Sequence, residues 1–243
     1  MENQLREALT SKDKIFSIIV HDLKTPLNGI IGFSELMIHE MKKPECLKLC
    51  EKNYGYLKIL NSSCYKMLEL IKNLETWSRL QNGCLMCRPV IIDLSKMVSD
   101  NFELLEVFAR NKQIEFLSGI QEKVNVFADF QMMNIVIRNL LSNALKFTGK
   151  NGKVEITCKT ENDKIILCVS DNGTGISPEQ LKYLFDRNYF AQTKGTANEE
   201  GTGLGLKLCK EFIELNKGKI WVESNPDSGS RFYISVPAKP VNV

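Results

Sequence analysis

No apolar run in these 243 residues approaches the length that crosses a bilayer, and no charged-then-apolar leader opens the chain. The segment therefore reads as soluble and cytoplasmic, without membrane contact of its own, in a parent protein free to carry a membrane anchor. The net charge is only +3, too small to make nucleic acid or an anionic membrane the main partner. Glycine (15) and proline (7) are not enriched, and apolar and charged fractions of 43% and 25% are those of an ordinary globular protein. Histidine is limited to His21 and His39, and tryptophan to Trp77 and Trp221, which read as packing groups.

Cysteine is not scarce: Cys46, Cys50, Cys64, Cys84, Cys87, Cys158, Cys168 and Cys209. Most fall at apolar positions of helix or strand patterns, where a free thiol behaves as a small hydrophobe. The one close pair, Cys84 and Cys87, lacks a second pair or a nearby histidine to complete a tetrahedral zinc site. Reduced, structural thiols are expected.

The organising stretch is Phe16–Asn28, FSIIVHDLKTPLN. Ile15, Ile18, Ile19 and Leu23 form an apolar helical stripe that Ile30, Phe33 and Met37 continue. His21 interrupts it and is expected on an accessible flank. Asp22 beside it can hold the imidazole in one tautomer, leaving the other nitrogen free to attack. By itself this is more often an ordinary helix-surface histidine. His39 also precedes an acid but lacks the Thr-Pro that follows His21, and reads as a surface residue.

Residues 3–40 read as one long helix, bent at Pro26, whose missing amide hydrogen breaks the ladder. A polar turn at 41–45 returns the chain into a second helix ending near 81. Leu57, Leu60, Cys64, Met67, Ile71, Leu74 and Ser78 mark a heptad seam along it. Two helices cannot enclose a core, so residues 1–82 are expected to form a hairpin that dimerises into a four-helix bundle. The alternative is packing on the rest of the same chain.

After a boundary at 82–88 the pattern turns to mixed strands and helices, taken as a second domain over 88–240. Strands are expected at Val90–Leu94, Ile114–Leu117, Val124–Ala128, Lys153–Thr160, Lys164–Ser170, Lys219–Ser224 and Arg231–Val236. Helices are expected at Ser95–Asn111, with Met97, Phe102, Leu105 and Phe108 inward, and at Phe130–Phe147, Pro178–Leu184 and Leu204–Asn216. This is an α+β sandwich, with helices on one face of a mixed sheet.

Four weak signals cooperate there. Asn139, Asn143 and Lys146 share one helix face at i, i+4 and i+7 spacing, where amide oxygens suit Mg²⁺ and a lysine suits phosphate. Asp171-Asn-Gly-Thr-Gly175 offers a strand-end carboxylate to an exocyclic amine such as that of adenine, with glycines that admit close backbone approach. Gly201-Thr-Gly-Leu-Gly205 opens a helix and forms a natural phosphate site. It is not the dinucleotide fingerprint, because the glycine spacing differs and no strand leads into it. Asp186–Glu200 is composed like a mobile lid.

In order and spacing these motifs resemble the catalytic core of a sensor histidine kinase of a two-component system, over nearly the whole chain. His21-Asp-Leu-Lys-Thr-Pro26 matches the phospho-acceptor box, Asn139–Lys146 the N box, and Asp171–Gly175 the first glycine box. Phe185 and Tyr189 fall where the F box is expected, although Asn188 departs from its usual aromatic and Arg187 from its usual proline. Gly201–Gly205 matches the second glycine box, and Gly229-Ser-Arg-Phe232 a last small glycine motif. The resemblance implies the ATP-binding sandwich shared with gyrase, Hsp90 and MutL. It also implies ATP and Mg²⁺ as cofactors, a homodimer, and a response-regulator receiver as partner, with no nucleic acid. Nucleotide contacts are implied for Asn139, Asn143 (also the metal ligand), Lys146, Asp171, Gly173, Gly175, Ile176, Phe185, Tyr189, Gly201, Thr202, Gly203, Leu204 and Gly205.

The mechanism implied is in-line attack by His21 on the γ-phosphorus, with Asp22 accepting from Nδ1–H, then transfer to a receiver aspartate. Thr25, one turn further, either positions the water that dephosphorylates the receiver or satisfies backbone near Pro26. Hydrolysing members of the wider superfamily carry a glutamate where this chain has Asn139, and an amide is no general base, so idle hydrolysis should be slow. A Ser/Thr kinase is excluded despite HDLK, since its preceding glycine-rich loop, strand lysine and following DFG are missing. A catalytically silent receiver-binding scaffold is the remaining rival, and His21, Asn143, Asp171 and the second glycine box argue against it. The stimulus, the receiver and the choice between cis and trans phosphorylation are not legible.

Overall fold

The computed structural model describes residue 23, residues 27–37, scattered helical positions between 56 and 80, and residues 85–120, 123–186, 194–197, 199 and 203–240. His21, Asp22, Thr25, Pro26, the 41–45 turn, Tyr189, Gly201 and Thr202 lie outside the described residues. The chain divides into two compact units, Met1–Leu85 and Met86–Val243.

In the first unit residues 27–37 are helical, and so is every described position from 56 to 80. The two stretches pack side by side. Phe33 meets Tyr56 with ring centroids 5.6 Å apart, and a Cβ on Gly29 would stand 3.3 Å from Ser63 Oγ. Ile30, Phe33 and Met37 are half-buried. Of the described seam residues, Leu57 and Ile71 remain 51% and 47% exposed and Cys64 is exposed, while Leu60 and Met67 are half-buried, so a single chain covers that face only in part. Leu74 and Ser78 fall outside the described residues.

The second unit begins with β1, Val90–Asp93. It stops one residue short of Leu94 because Asp93 caps α1, Leu94–Asn111, accepting from the Lys96 amide at 3.1 Å. Short strands β2, Glu115–Ser118, and β3, Asn125–Ala128, follow. Asp129 then caps α2, Phe130–Phe147, through the Met132 amide. Strands β4, Lys153–Glu161, and β5, Lys164–Asp171, form a hairpin. Its turn residues Asn162 and Asp163 take φ of 47° and 58°, the left-handed pair that a two-residue turn of this twist needs. A short α3, Pro178–Tyr183, opens on a capping box of Ser177 and Gln180. Then come α4, Gly205–Leu215, β6, Lys219–Ser224, and β7, Ser230–Pro237.

The main sheet runs β2-β4-β5-β7-β6, parallel only between β2 and β4, and β1 pairs separately with β3. Alternation puts Val154, Ile156, Leu167, Val169 and Ile234 inward, under helix residues Met133, Ile137, Leu140, Leu141, Leu208, Phe212 and Ile213, all at 1% exposure or less. Asn216 ties α4 to the start of α2: its Oδ1 accepts from the Asp129 amide at 2.6 Å and its Nδ2 donates to Phe212 O at 2.7 Å.

One expectation fails. Phe108 is 63% exposed, not inward. The buried stripe of α1 runs through Leu94, Val98, Asn101, Leu105 and Ala109, and Phe108 lies beside it with the exposed Leu104 and Val107. Phe102, by contrast, is half-buried and stacks on Phe116 with centroids 3.8 Å apart.

Candidate functional site

α2 forms the floor of the site. Its apolar face, including Leu140, Leu141, Ala144 and Leu145, is buried, which turns Asn139, Asn143 and Lys146 onto the half-buried flank. Both glycine-bearing loops close on this helix. At its middle, a Cβ on Gly205 would stand 2.6 Å from Asn139 Oδ1, so the start of α4 lies directly against that amide. At its end, Phe147 O accepts from the Thr174 amide at 3.2 Å. A Cβ on Gly173 would run into the same carbonyl. The sequence pattern of three polar residues on one face is thus bounded at its two ends by the two glycine boxes.

Asp171 is the last residue of the central strand β5. Its Oδ1 accepts from the Gly173 amide at 2.9 Å and the Ser230 amide at 3.3 Å. Among the described residues no protein donor is recorded on Oδ2. Burial raises its carboxyl above the usual aspartate value, and the two amide hydrogen bonds partly offset the rise. Gly175 has φ of +67°, and a Cβ there would strike the Asn225 carbonyl, so this turn needs glycine. Ile176 is half-buried and donates its amide to Ser224 Oγ at 2.9 Å. Ser224 and Ser230 are 2.9 Å apart, which joins β6 and β7 to the same loop.

Gly203 has φ of +66°, and Leu204 is buried at 3%. The helix that follows differs from the others in the second unit. Asp93, Asp129 and Ser177 cap α1, α2 and α3 through their side chains, whereas among the described residues no side-chain cap is seen on α4. The positive end of its helix dipole favours an anion there. Phe185 is half-buried in the turn after α3. A cleft of about 460 Å³ opens at the Asp171 end of the sheet, lined by Lys153, Ser170, Asn172, Ser224, Ser230 and Arg231 among others. Asn139, Asn143 and Lys146 lie outside its lining, so it is the outer flank of the Asp171 loop rather than the surface of α2.

The site holds more than the motifs indicate. Lys112, at the end of α1, reaches the last carbonyls of α2, and the Thr196 amide donates to Lys146 O at 3.0 Å. Ser230 and Ser224 support Asp171 and Ile176. These contacts join residues far apart in sequence, and no residue pattern around Lys112 marks it; the chain turns just after it, where Gln113 takes a left-handed φ of 56°.

Residues 11–83 match the His Kinase A (phospho-acceptor) domain, and residues 128–240 match the family described as histidine kinase-, DNA gyrase B-, and HSP90-like ATPase. The circadian input-output histidine kinase CikA of Synechococcus elongatus is 33% identical over 95% of this chain, which spans 30% of that protein. Across that protein and three further curated relatives, the chain spans between 23% and 60% of their length. The catalytic domain of histidine kinase ThkA is 31% identical, with a TM-score of 0.55 over 63% of this chain and 99% of that domain. Histidine kinase ThkA in complex with response regulator protein TrrA is 25% identical, with a TM-score of 0.68 over 98% of this chain and 65% of that one. With two helices packed side by side, then a sandwich whose two glycine loops meet the middle and the end of α2, the chain belongs to the sensor histidine kinases, joining a phospho-acceptor domain to an ATP-binding domain.

Proposed function

We propose that the chain is the kinase core of a two-component sensor, which transfers the γ-phosphoryl group of ATP to His21 and then to a receiver aspartate. The observation that carries this reading is the placement of the two glycine boxes at either end of the Asn139–Lys146 stretch of α2, Gly205 against Asn139 and Gly173 with Thr174 against the Phe147 carbonyl. Asp171 accepts from the exocyclic amine of adenine, held in place by the Gly173 and Ser230 amides. Gly173 and Gly175 keep the backbone close to the base, with Ile176, Phe185 and Tyr189 packing around it. Asn139 and Lys146 contact phosphates, and Gly201, Thr202, Gly203, Leu204 and Gly205 present the start of α4, with its helix dipole, to them.

The donor set fits Mg²⁺: Asn143 offers one hard amide oxygen on a half-buried face, which suits an ion that keeps water and phosphate as its other ligands. Among the described residues no group of three His, Cys, Asp or Glu side chains could instead cage a metal. When bound there, Mg²⁺ neutralises charge on the phosphates.

His21 acts as nucleophile through Nε2. The Nε2–P bond forms as the bond from γ-phosphorus to the bridging oxygen breaks, and ADP leaves with that oxygen. Asp22 accepts from Nδ1–H, orients the ring and takes up the proton as the phosphoramidate forms. Thr25 positions water for the reverse task, dephosphorylation of the receiver. The hairpin of residues 1–82 pairs with a second copy through the seam that one chain covers only in part, and residues 88–240 hold the nucleotide. A receiver domain is the phosphoryl acceptor, in keeping with the response regulator bound to histidine kinase ThkA. No helix among the described residues is long and apolar enough to cross a membrane, and a cytoplasmic setting is proposed for this segment. Replacing His21 with alanine should abolish labelling from γ-labelled ATP while nucleotide binding persists; retained labelling would refute the assignment.

A further inference from the structure

At the end of α2 the carbonyls of the last turn have no intrahelical amides to meet. Lys112 meets them instead. Its Nζ donates to Leu145 O at 2.8 Å, Lys146 O at 3.0 Å and Thr148 O at 3.3 Å. The same ammonium reaches Thr196 Oγ1 at 2.8 Å and Glu199 Oε1 at 2.7 Å. Its side chain is 17% exposed, so the contacts to α2 are partly shielded from solvent, while Thr196 and Glu199 lie on the surface side. An ammonium has only three N–H bonds, and more oxygens than that converge on it. Thr196 relieves part of the excess by donating its hydroxyl to Thr148 O at 2.7 Å. What remains is a cluster of carbonyl dipoles and one carboxylate around a single cation.

Two of these oxygens belong to the stretch between the first and second glycine boxes. That stretch is attached to α2 through the cluster. The Thr196 amide donates to Lys146 O at 3.0 Å, the Gly195 amide to Glu199 O at 2.8 Å, and the Ala197 amide to Glu199 Oε2 at 2.7 Å. Gly195 presses on Lys146: a Cβ there would collide with Lys146 Cγ at 2.5 Å. Although burial works to raise the Glu199 carboxyl, hydrogen bonds from Lys112 and neighbouring amides hold it below the usual glutamate value.

We propose that Lys112 is a positioning residue for the nucleotide site: its ammonium pins residues 194–197 and Glu199 to the end of α2, and so fixes Lys146 where phosphate is bound. This deepens the ATP-binding reading above and rests on it. Lys112 touches no reacting atom. Removing its charge leaves the carbonyls of Leu145 and Lys146, the Thr196 hydroxyl and the Glu199 carboxylate facing one another without a cation. They then separate, releasing Gly195 from Lys146.

The experiment has two arms on the full chain, with Lys112→Met, Glu199→Gln and their double variant. In the first arm, hydrogen exchange is followed at the Gly195 and Thr196 amides without nucleotide. Lys112→Met should accelerate both by about tenfold or more, the effect of losing charge-assisted hydrogen bonds. In the second arm, ATP affinity is titrated alongside thermal unfolding. Lys112→Met should weaken binding about tenfold with folding cooperativity kept, and the double variant should bind no worse than Lys112→Met alone. Native exchange and native affinity in Lys112→Met, or fully additive losses in the double variant, would overturn the proposal. Should Lys112→Met fail to fold, Glu199→Gln and Thr196→Val carry the same test, since both residues are on the surface side of the cluster and faster exchange is expected in each. A wild-type chain that binds no ATP would instead defeat the nucleotide reading, and the exchange arm would still decide whether Lys112 pins the stretch.

Discussion

Gly205 and Asn139 are in direct contact: the space a Cβ would need at position 205 begins 2.6 Å from the Asn139 amide oxygen. That oxygen is the far end of a flexible side chain, so a methyl group at 205 can push it aside without disturbing backbone. Gly205→Ala should therefore leave thermal stability within about 1 kcal/mol of wild type, helped by alanine's better helix propensity. ATP affinity should fall roughly three- to tenfold as Asn139 is displaced, on the scale of one hydrogen bond to a charged group. Parallel calorimetry and nucleotide titration check the two halves; a large loss of stability would contradict the geometry.

Asp171 makes a pH prediction with two opposite signs. Its folded pKa is raised above the ordinary 3.8 by burial. As pH falls, the carboxyl takes its proton earlier than a free aspartate and stops accepting from adenine, so ATP affinity should decline at a pH above 3.8. Stability moves the other way. Between 3.8 and the raised value the folded chain binds more protons than the unfolded one, so this residue's burial penalty is present above that window and relieved as pH drops through it. Titrating affinity and unfolding of wild type against Asp171→Asn separates the two; the variant should lack both effects and bind ATP at least about tenfold more weakly.

On the proposed reading, Asn139 offers an amide where a carboxylate would give water a base. Asn139→Glu places a carboxylate on the same half-buried face, beside the start of α4. In a His21→Ala background it should raise ADP release by about tenfold or more over the single variant, the low end of general-base catalysis. An unchanged hydrolysis rate would show that the amide is not what protects ATP.

Phe212 lies on the buried face of α4, the helix that packs against α2, and is 1% exposed. Phe212→Ala should lose about 3 to 5 kcal/mol, through lost burial and the cavity left behind. Denaturant unfolding of the chain measures it directly. Because Asn216 donates to Phe212 O and accepts from the Asp129 amide, the loss should also loosen the start of α2.

Local pattern made much of this molecule legible. The run Phe130–Phe147 matches its helix to the residue, because Asp129 supplies a cap and the apolar period is strong. The β4–β5 hairpin was readable from alternation and a polar turn that tolerates left-handed φ. The polar face of α2 and both glycine boxes were visible as spacing. Phe108 was misread because α1 carries apolar residues on two sides, and period alone does not say which side meets the core. Lys112 was invisible for a different reason: it is a lone lysine past a helix end, and its partners lie from 33 residues away at Leu145 to 87 at Glu199.

The central claim concerns one nitrogen in the first unit and the nucleotide face of the second. Incubating the chain with Mg²⁺ and ATP labelled at the γ-phosphorus, then mapping the acid-labile, base-stable label by peptide, tests it most directly. Label on His21 in wild type, lost both in His21→Ala and in Asp171→Asn, is the expected result. Label that persists without His21, or that resides on another residue, would contradict it.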